Sequence, residues 1–172
     1  MTDGSPRVLS RREWIGWAAG VAAVAAGSEL MRAQTRAGAP TAAPAAKPAL
    51  QVYKDPSCGC CQSWVDYMQK NGYKATVIPT PNMDRIKEEH KIPASLQSCH
   101  TTIVGGYVIE GHVPVDDIAR LLAEKPKGVI GLTIPGMPQS APGMDVTPFQ
   151  PYTVLSFDAA GKTTTYARHT KA

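Results

Sequence analysis

Residues 50–79 read LQVYKDPSCGCCQSWVDYMQKNGYKATVIP and contain the strand and helix patterns from which the fold class is predicted. Residues 50–54 have the composition of a short β-strand. Large apolar side chains recur at helical spacing over residues 59–71, which predicts an α-helix there. A second strand is predicted for residues 73–78, after an Asn-Gly pair that ends the helix. The stretch therefore predicts a strand–helix–strand unit with a cysteine-rich turn before its helix.

The residues that follow extend this unit. Residues 82–90 (NMDRIKEEH) predict a short polar helix, and Thr101–Val104 with Tyr107–Ile109 predict a hairpin around a Gly-Gly turn. A third helix is predicted for Pro114–Glu124. The order β-α-β-α-β-β-α, with a redox-type cysteine motif after the first strand, is the arrangement of a thioredoxin-like α/β fold.

A C-terminal extension follows this predicted core. Residues 128–148 are rich in Gly and Pro and lack an apolar period, which predicts an irregular loop. Two runs, Tyr152–Phe157 and Thr163–Tyr166, flank the turn sequence DAAG and predict a β-hairpin. We therefore expect residues 49–172 to form a thioredoxin-like metal-binding domain with a C-terminal Gly/Pro-rich loop and β-hairpin extension.

The N-terminal residues have the pattern of an export signal. Arg11 and Arg12 stand before an apolar stretch, Trp14–Gly27, which is the layout of a twin-arginine signal. This stretch is too short to cross about 30 Å of hydrocarbon, and a buried Ala-rich helix is the other alternative. We expect residues 1–39 to direct export to the periplasm and residues 40–48 to form a flexible linker. Membrane contact is expected only through an uncleaved signal.

Composition and charge restrict the function classes. The chain has 172 residues and a formal net charge of +4, which suits one domain with an N-terminal appendage. The sequence has no run of Lys or Arg interleaved with aromatic residues, which is the electrostatic pattern of nucleic-acid-binding proteins. We therefore expect no nucleic-acid partner.

Three cysteines, Cys58, Cys60 and Cys61, lie where the first strand gives way to the first helix. Unpaired N–H groups and the positive end of the helix dipole favour thiolates at such a position. Cys58 and Cys61 form a C-x-x-C pair, and Cys60 is a third sulfur that an ordinary dithiol catalyst lacks. Thiolates are soft ligands that select Cu(I), zinc or iron–sulfur centres, so the cluster favours a metal site, for Cu(I) in particular.

The loop before the third strand supplies two further candidate ligands. Thioredoxin-like proteins normally carry a cis-proline there, whereas residues 98–101 of this sequence read SCHT. Because the fold brings that loop opposite the C-x-x-C pair, we expect Cys99 and His100 to face the cysteine cluster. His112, after the fourth strand, is a weaker candidate.

Two Pro-Gly-Met units lie in the C-terminal loop, at residues 135–137 and 142–144. Thioethers are neutral soft donors that persist under oxidising conditions better than thiols do, so Met137 and Met144 are candidate Cu(I) ligands. The alternative is that both methionines fill gaps in the core.

Three alternatives to a copper site stay open from the residues alone. Four cysteines can form two structural disulfides in an exported protein. Cys58 as nucleophile and Cys61 as resolving thiol would make a thiol–disulfide oxidoreductase, which the missing cis-proline disfavours. A structural zinc site with three cysteines and one histidine would need tetrahedral geometry.

The domain resembles the DUF411 family of metal-binding, thioredoxin-like proteins over nearly all of residues 50–157. The matching segments are CGCC at 58–61, SCHT at 98–101, GYVIEGHVP at 106–114, GLTIPGMP at 131–138 and SAPGM at 140–144. The resemblance implies copper binding through Cys58, Cys61 and Cys99, with Cys60 as a further ligand. It also implies a role in copper redox chemistry or transfer during metal stress.

We therefore predict a periplasmic copper-binding protein that holds Cu(I) in copper resistance and trafficking and takes part in Cu(I)/Cu(II) conversion. The expected partners are copper ions and other periplasmic copper-handling proteins, and zinc is the less favoured metal. The predicted metal ligands are Cys58, Cys60, Cys61, Cys99, His100, Met137 and Met144.

Overall fold

The computed structural model describes residues 46–144 and 146–171. The predicted signal segment, residues 1–39, lies outside these residues, as does most of the predicted linker, residues 40–48. Residues 46–49 have no regular secondary structure, and the first strand begins at Leu50.

Seven strands and three α-helices make up a mixed α/β arrangement in the described residues. The strands are β1 (Leu50–Lys54), β2 (Ala75–Pro79), β3 (His100–Val104), β4 (Tyr107–Glu110), β5 (Gly131–Thr133), β6 (Tyr152–Phe157) and β7 (Thr163–His169). The helices are α1 (Gly59–Lys70), α2 (Met83–Glu89) and α3 (Val115–Glu124), and a 3-10 turn (Ala94–Leu96) precedes β3. From β1 to α3 the observed order is the predicted β-α-β-α-β-β-α. None of these helices is long and apolar enough to span a membrane.

All seven strands form one sheet in the order β2-β1-β3-β4-β5-β6-β7. β1 is parallel to β2 and β4 to β5, whereas the other neighbouring pairs are antiparallel. Lys54 at the end of β1 pairs with His100 at the start of β3, and Thr101 pairs with Glu110 at the end of β4. The turns next to these residues therefore meet at one end of the sheet, which carries the candidate site.

The main hydrophobic core lies between one face of the sheet and the helices α1 and α3. Successive side chains of a strand point to opposite faces, so Ile109 joins this core while Val108 joins a smaller cluster on the other face. The buried residues of α1 recur at the spacing of one helical face and are Cys61, Trp64, Val65 and Met68.

The C-terminal extension differs from the predicted loop and hairpin in two respects. β7 continues to His169, beyond the predicted end at Tyr166, and a further strand precedes the hairpin. Gly131–Thr133, inside the stretch predicted to be irregular, forms β5 and joins the β6–β7 hairpin to the main sheet. A Cβ atom at Gly131 would collide with the Val108 carbonyl oxygen and the Phe157 ring, so glycine permits this close pairing. A strand of 3 residues is too short to show an alternating pattern, which is why the sequence did not indicate it.

Candidate metal centre

The turn between β1 and α1 places three cysteines at the N-terminus of a helix. The Asp55 carboxylate accepts a hydrogen bond from the Ser57 N–H at 2.7 Å, and the Cys58 N–H donates to the Asp55 carbonyl at 3.0 Å. The hydrogen bonds from Ser57 hold the pKa of the Asp55 carboxyl below its ordinary value. Cys58 has extended backbone geometry and is the N-cap of α1, so Cys60 and Cys61 lie in its first turn.

Cys58 and Cys61 form a disulfide, whereas Cys60 and Cys99 are free thiols. The alternative of two structural disulfides is therefore wrong. The Cys60 sulfur lies 3.5 Å from the Cys58 sulfur. Cys61 is buried and the other three cysteines are half-buried, so the sulfur cluster lies at the boundary between the core and the solvent.

Cys99 lies opposite the other cysteines, in the loop before β3. The Cys61 sulfur is 3.9 Å from the Cys99 carbonyl oxygen, although the two residues are 38 positions apart in the sequence. The structure thus brings together all four cysteines of the chain, and their sulfur atoms lie within 4.8 Å of one another.

A second group of donors overlaps the first and adds two histidines. One ligand atom from each of Cys61, Cys99, His100 and His112 lies within 4.8 Å of the others. The Cys99 sulfur is 3.4 Å from His100 Nδ1 and 3.1 Å from His112 Nε2. Cys61 and Cys99 therefore belong to both donor groups.

Sequence reasoning ranks His112 below His100, yet the structure places it against Cys99. Its Nδ1 lies 2.7 Å from the Pro142 carbonyl oxygen, which can only accept, so Nδ1 carries the proton and Nε2 faces the Cys99 sulfur. A hydrogen bond of this kind fixes the tautomer and ring orientation of a histidine ligand. The predicted β3–β4 hairpin could have indicated this position of His112. In an antiparallel pair, a residue just after β4 lies next to the start of β3.

His100 is fully buried between the rings of Trp64 and His112, whose centroids lie 4.5 and 5.1 Å from its own. Burial holds the pKa of His100 well below its ordinary value, and the neighbouring side chains of His112, Lys87 and Lys54 act in the same direction. Its Nε2 has no hydrogen-bond partner within the described residues. A neutral imidazole is the form in which histidine binds a metal, and the His100 nitrogen that lies near the Cys99 sulfur is Nδ1.

Burial raises the pKa of the Cys99 thiol to about 12, and the nearby Cys60 sulfur acts in the same direction. Cys99 is therefore a thiol at neutral pH and can donate to His112 Nε2. Metal binding requires the thiolate, so a cation bound here would displace the Cys99 proton and stabilise the resulting anion.

The two Pro-Gly-Met units lie in different surroundings. In the second unit, Pro142 accepts the hydrogen bond from His112, and a Cβ atom at Gly143 would lie 2.7 Å from the Trp64 backbone nitrogen. Gly143 has a φ of +83°, so its conformation and this close approach both favour glycine. Met144 follows Gly143 and is half-buried, whereas Met137 in the first unit is 38% exposed. Met144 thus belongs to a loop that contacts the site, and Met137 lies on the surface.

The donor chemistry fits a soft metal ion. Within the described residues, the two overlapping groups consist of cysteine sulfurs and imidazole nitrogens and include no carboxylate. Thiolates suit Cu(I) and zinc, and imidazoles suit copper in either oxidation state as well as zinc. Cys58 and Cys61 cannot bind as thiolates while their disulfide is closed, so the full donor set becomes available only on reduction.

One family model and two solved structures are similar to this chain. A family model described as "Protein of unknown function, DUF411" matches residues 96–144, which include Cys99, His100 and His112. Two solved structures of a copper resistance protein, CopG Form 1 and Form 2, are similar to this chain at 33% and 34% sequence identity. Each similarity covers 72% of this chain and 98% of the CopG chain, with a TM-score of 0.67. No curated protein matches the chain.

Proposed function

Because the chain belongs to the DUF411 family of CopG-like proteins, we propose that it binds Cu(I) through its four cysteines in copper resistance and trafficking. The observation that carries the proposal is the convergence of the four sulfur atoms within 4.8 Å. Soft thiolates favour Cu(I), and the position of Cys58 at the N-terminus of α1 favours the thiolate form.

We add His100 and His112 to the proposed ligands and include Cu(I)/Cu(II) conversion in the proposed role. Imidazole nitrogens beside the sulfurs offer ligands to both oxidation states. The Cys58 and Cys61 thiolates can each give one electron to a Cu(II) ion. Two Cu(II) ions then become two Cu(I) ions while the Cys58–Cys61 disulfide forms. The closed disulfide of this structure corresponds to the oxidised protein in that scheme.

The proposal includes a thioredoxin-like architecture for residues 49–172 and export to the periplasm. The sheet order β2-β1-β3-β4, with the cysteine turn between β1 and α1, supports the architecture. For export, we propose that residues 1–39 are a twin-arginine signal and that residues 40–48 link it to the domain. Periplasmic copper-handling proteins are then the donors and acceptors of the metal.

A thiol–disulfide oxidoreductase is the second candidate function, because the Cys58–Cys61 disulfide is closed at the N-terminus of α1. Its half-buried Cys58 and buried Cys61 would suit the nucleophile and the resolving thiol of such an enzyme. That function needs neither Cys99 nor the histidines, so the two candidates separate at Cys99.

The first prediction concerns the variant Cys99→Ser. Cys99 belongs to both donor groups, so we expect the reduced variant to bind Cu(I) about tenfold or more weakly, which is about 1.4 kcal/mol or more. The measurement is an anaerobic Cu(I) competition titration, paired with an insulin-reduction assay. The exposed variant Ser63→Ala on α1 is the control and should match the wild type. Unaltered Cu(I) affinity together with strong reductase activity that does not need Cys99 would favour the oxidoreductase.

The second prediction concerns the double variant Met137→Leu with Met144→Leu. Leucine conserves most of the volume, so the free energy of unfolding should change by less than about 1.5 kcal/mol. We propose that this loop binds or admits copper, so loss of the thioethers should lower Cu(I) affinity severalfold. Met68→Leu is the matched control because Met68 is buried in the main core. Equal Cu(I) affinity of the double variant and the control would assign both methionines to packing.

A further inference from the structure

A buried charged pair, Glu110 with Lys87, lies behind the loop that carries Cys99. Glu110 is the last residue of β4 and is 0% exposed, and Lys87 belongs to α2 and is 4% exposed. Their side chains form a direct salt bridge. Neither residue follows from the metal-ligand pattern of the sequence, and neither is a ligand in the proposed copper site.

The Glu110 carboxylate accepts hydrogen bonds from three different residues. Lys87 Nζ and the Ser98 backbone N–H both donate to Oε1, the latter at 2.7 Å. The Thr101 hydroxyl donates to Oε2 at 2.7 Å, and Lys87 Nζ also lies 3.4 Å from the Thr101 oxygen. Because Lys87 and the Ser98 N–H can only donate, this network suits an ionised Glu110.

A buried ion pair is a weak source of stability, because both charges lose their hydration when they are buried. The main effect of the Glu110–Lys87 pair is therefore on the groups that it holds in place. The groups that it holds are Ser98 and Thr101, which directly flank Cys99 and His100.

One carboxylate thus fixes both ends of the segment 98–101. On the neighbouring strand, the Gly111 N–H donates to the His100 carbonyl at 2.9 Å, and His112 is the next residue. Because Glu110 directly precedes Gly111 and His112 in the chain, its side-chain hydrogen bonds hold the Cys99–His100 pair next to His112. Loss of the carboxylate would leave a backbone N–H and a hydroxyl of this segment without their acceptor.

We propose that Glu110 is a positioning residue, held by Lys87, that keeps Cys99 and His100 in place opposite Cys60 and Cys61. Its effect on copper depends on the proposed function. Its effect on the geometry of the Cys99 loop does not, and can be measured without copper.

The test uses the disulfide-bonded protein, in which Cys60 and Cys99 are the free thiols. Both are alkylated with iodoacetamide at one fixed pH, and the two rates are followed by mass spectrometry with Cys60 as the internal reference. The variants are Glu110→Gln, Lys87→Met and Thr101→Val. We expect each to raise the ratio of the Cys99 rate to the Cys60 rate at least about threefold, because the segment 98–101 opens more often.

A purely electrostatic effect predicts a different pattern. Removal of the Glu110 charge and removal of the Lys87 charge would then change the rate ratio in opposite directions, and the neutral change Thr101→Val would leave it unaltered. That pattern would overturn the positioning role, as would an unaltered ratio in Glu110→Gln. Thr101→Val is nearly isosteric, so it keeps the test decisive if the two charge variants fail to fold.

General destabilisation is controlled with Ile118→Val, a buried change in α3 within the main core. This variant should leave the rate ratio at the wild-type value. If it raised the ratio as much as Glu110→Gln does, the effect would belong to global stability and the positioning role would be wrong.

For the reduced protein, we expect Glu110→Gln to bind Cu(I) about tenfold more weakly and to change the copper K-edge spectrum, as loss of an outer-shell partner does at metal sites. A raised alkylation ratio with unaltered Cu(I) affinity would overturn this copper consequence. If the wild-type protein binds no Cu(I), the proposed function fails, and the alkylation ratio still decides whether Glu110 positions the loop.

Discussion

Reduction of the Cys58–Cys61 disulfide should raise the affinity of the protein for Cu(I) by about 100-fold or more. While the disulfide is closed, the sulfurs left as thiols are those of Cys60 and Cys99. Reduction adds two thiolates within 4.8 Å of them, and each soft ligand should contribute at least about tenfold in affinity. The measurement is an anaerobic competition titration of the same preparation before and after treatment with a phosphine reductant that is then removed.

The double variant Cys58→Ser with Cys61→Ser is the matched control for this prediction. It lacks the switchable pair, so its Cu(I) affinity should be the same under both conditions and close to that of the oxidised wild type. Equal affinity of the oxidised and the reduced wild type would contradict the prediction, because Cys58 and Cys61 would then lie outside the copper site.

The variant Trp64→Ala should lower the free energy of unfolding by about 3–5 kcal/mol, as expected for removal of a fully buried aromatic side chain. Trp64 is 0% exposed, and its Nε1–H donates to the Val113 carbonyl at 3.0 Å. Its ring also packs against His100, with the centroids 4.5 Å apart. The cavity would therefore open between the main core and the metal centre. Urea unfolding followed by circular dichroism measures the effect.

Trp64→Phe is the control for this change, because it keeps an aromatic ring while it removes the hydrogen bond to Val113. It should be less costly than Trp64→Ala, since an unpaired buried carbonyl costs about 1–3 kcal/mol and most of the ring volume remains. A loss below about 1 kcal/mol in Trp64→Ala would mean that the site relaxes around the missing ring, which would contradict the prediction.

The features that could be predicted from the sequence are those that depend on neighbouring residues. The spacing of Trp64, Val65 and Met68 indicated the buried face of α1, and the helix observed at Gly59–Lys70 agrees with the predicted range within one residue. The Gly-Gly turn indicated the β3–β4 hairpin in the same way. The resemblance to the DUF411 family, based on the CGCC and SCHT segments, is confirmed by the family match and the CopG structures.

The features that could not be predicted depend on residues that are distant in the sequence. β5 is a strand of 3 residues whose existence depends on pairing with β4 and β6 on either side. The C-x-x-C spacing indicated that Cys58 and Cys61 can pair, but it left open whether Cys60 and Cys99 form a second bridge or stay free thiols. These choices depend on three-dimensional distance, which the spacing of residues along the chain does not specify.

The residues of the site also fall into these two groups, those predictable from neighbouring residues and those that depend on distant contacts. The local sequence determined that three cysteines stand at a helix N-terminus, because strand and helix periods are properties of a few adjacent residues. The contact of His112 with the Cys99 sulfur depends on the tertiary structure, and so does the burial of Glu110 and Lys87 behind the loop. These contacts form only because β1, β3 and β4 align at one end of the sheet and bring three separate turns together. That alignment arises from strand register and core packing over the whole domain, which no single stretch of sequence encodes.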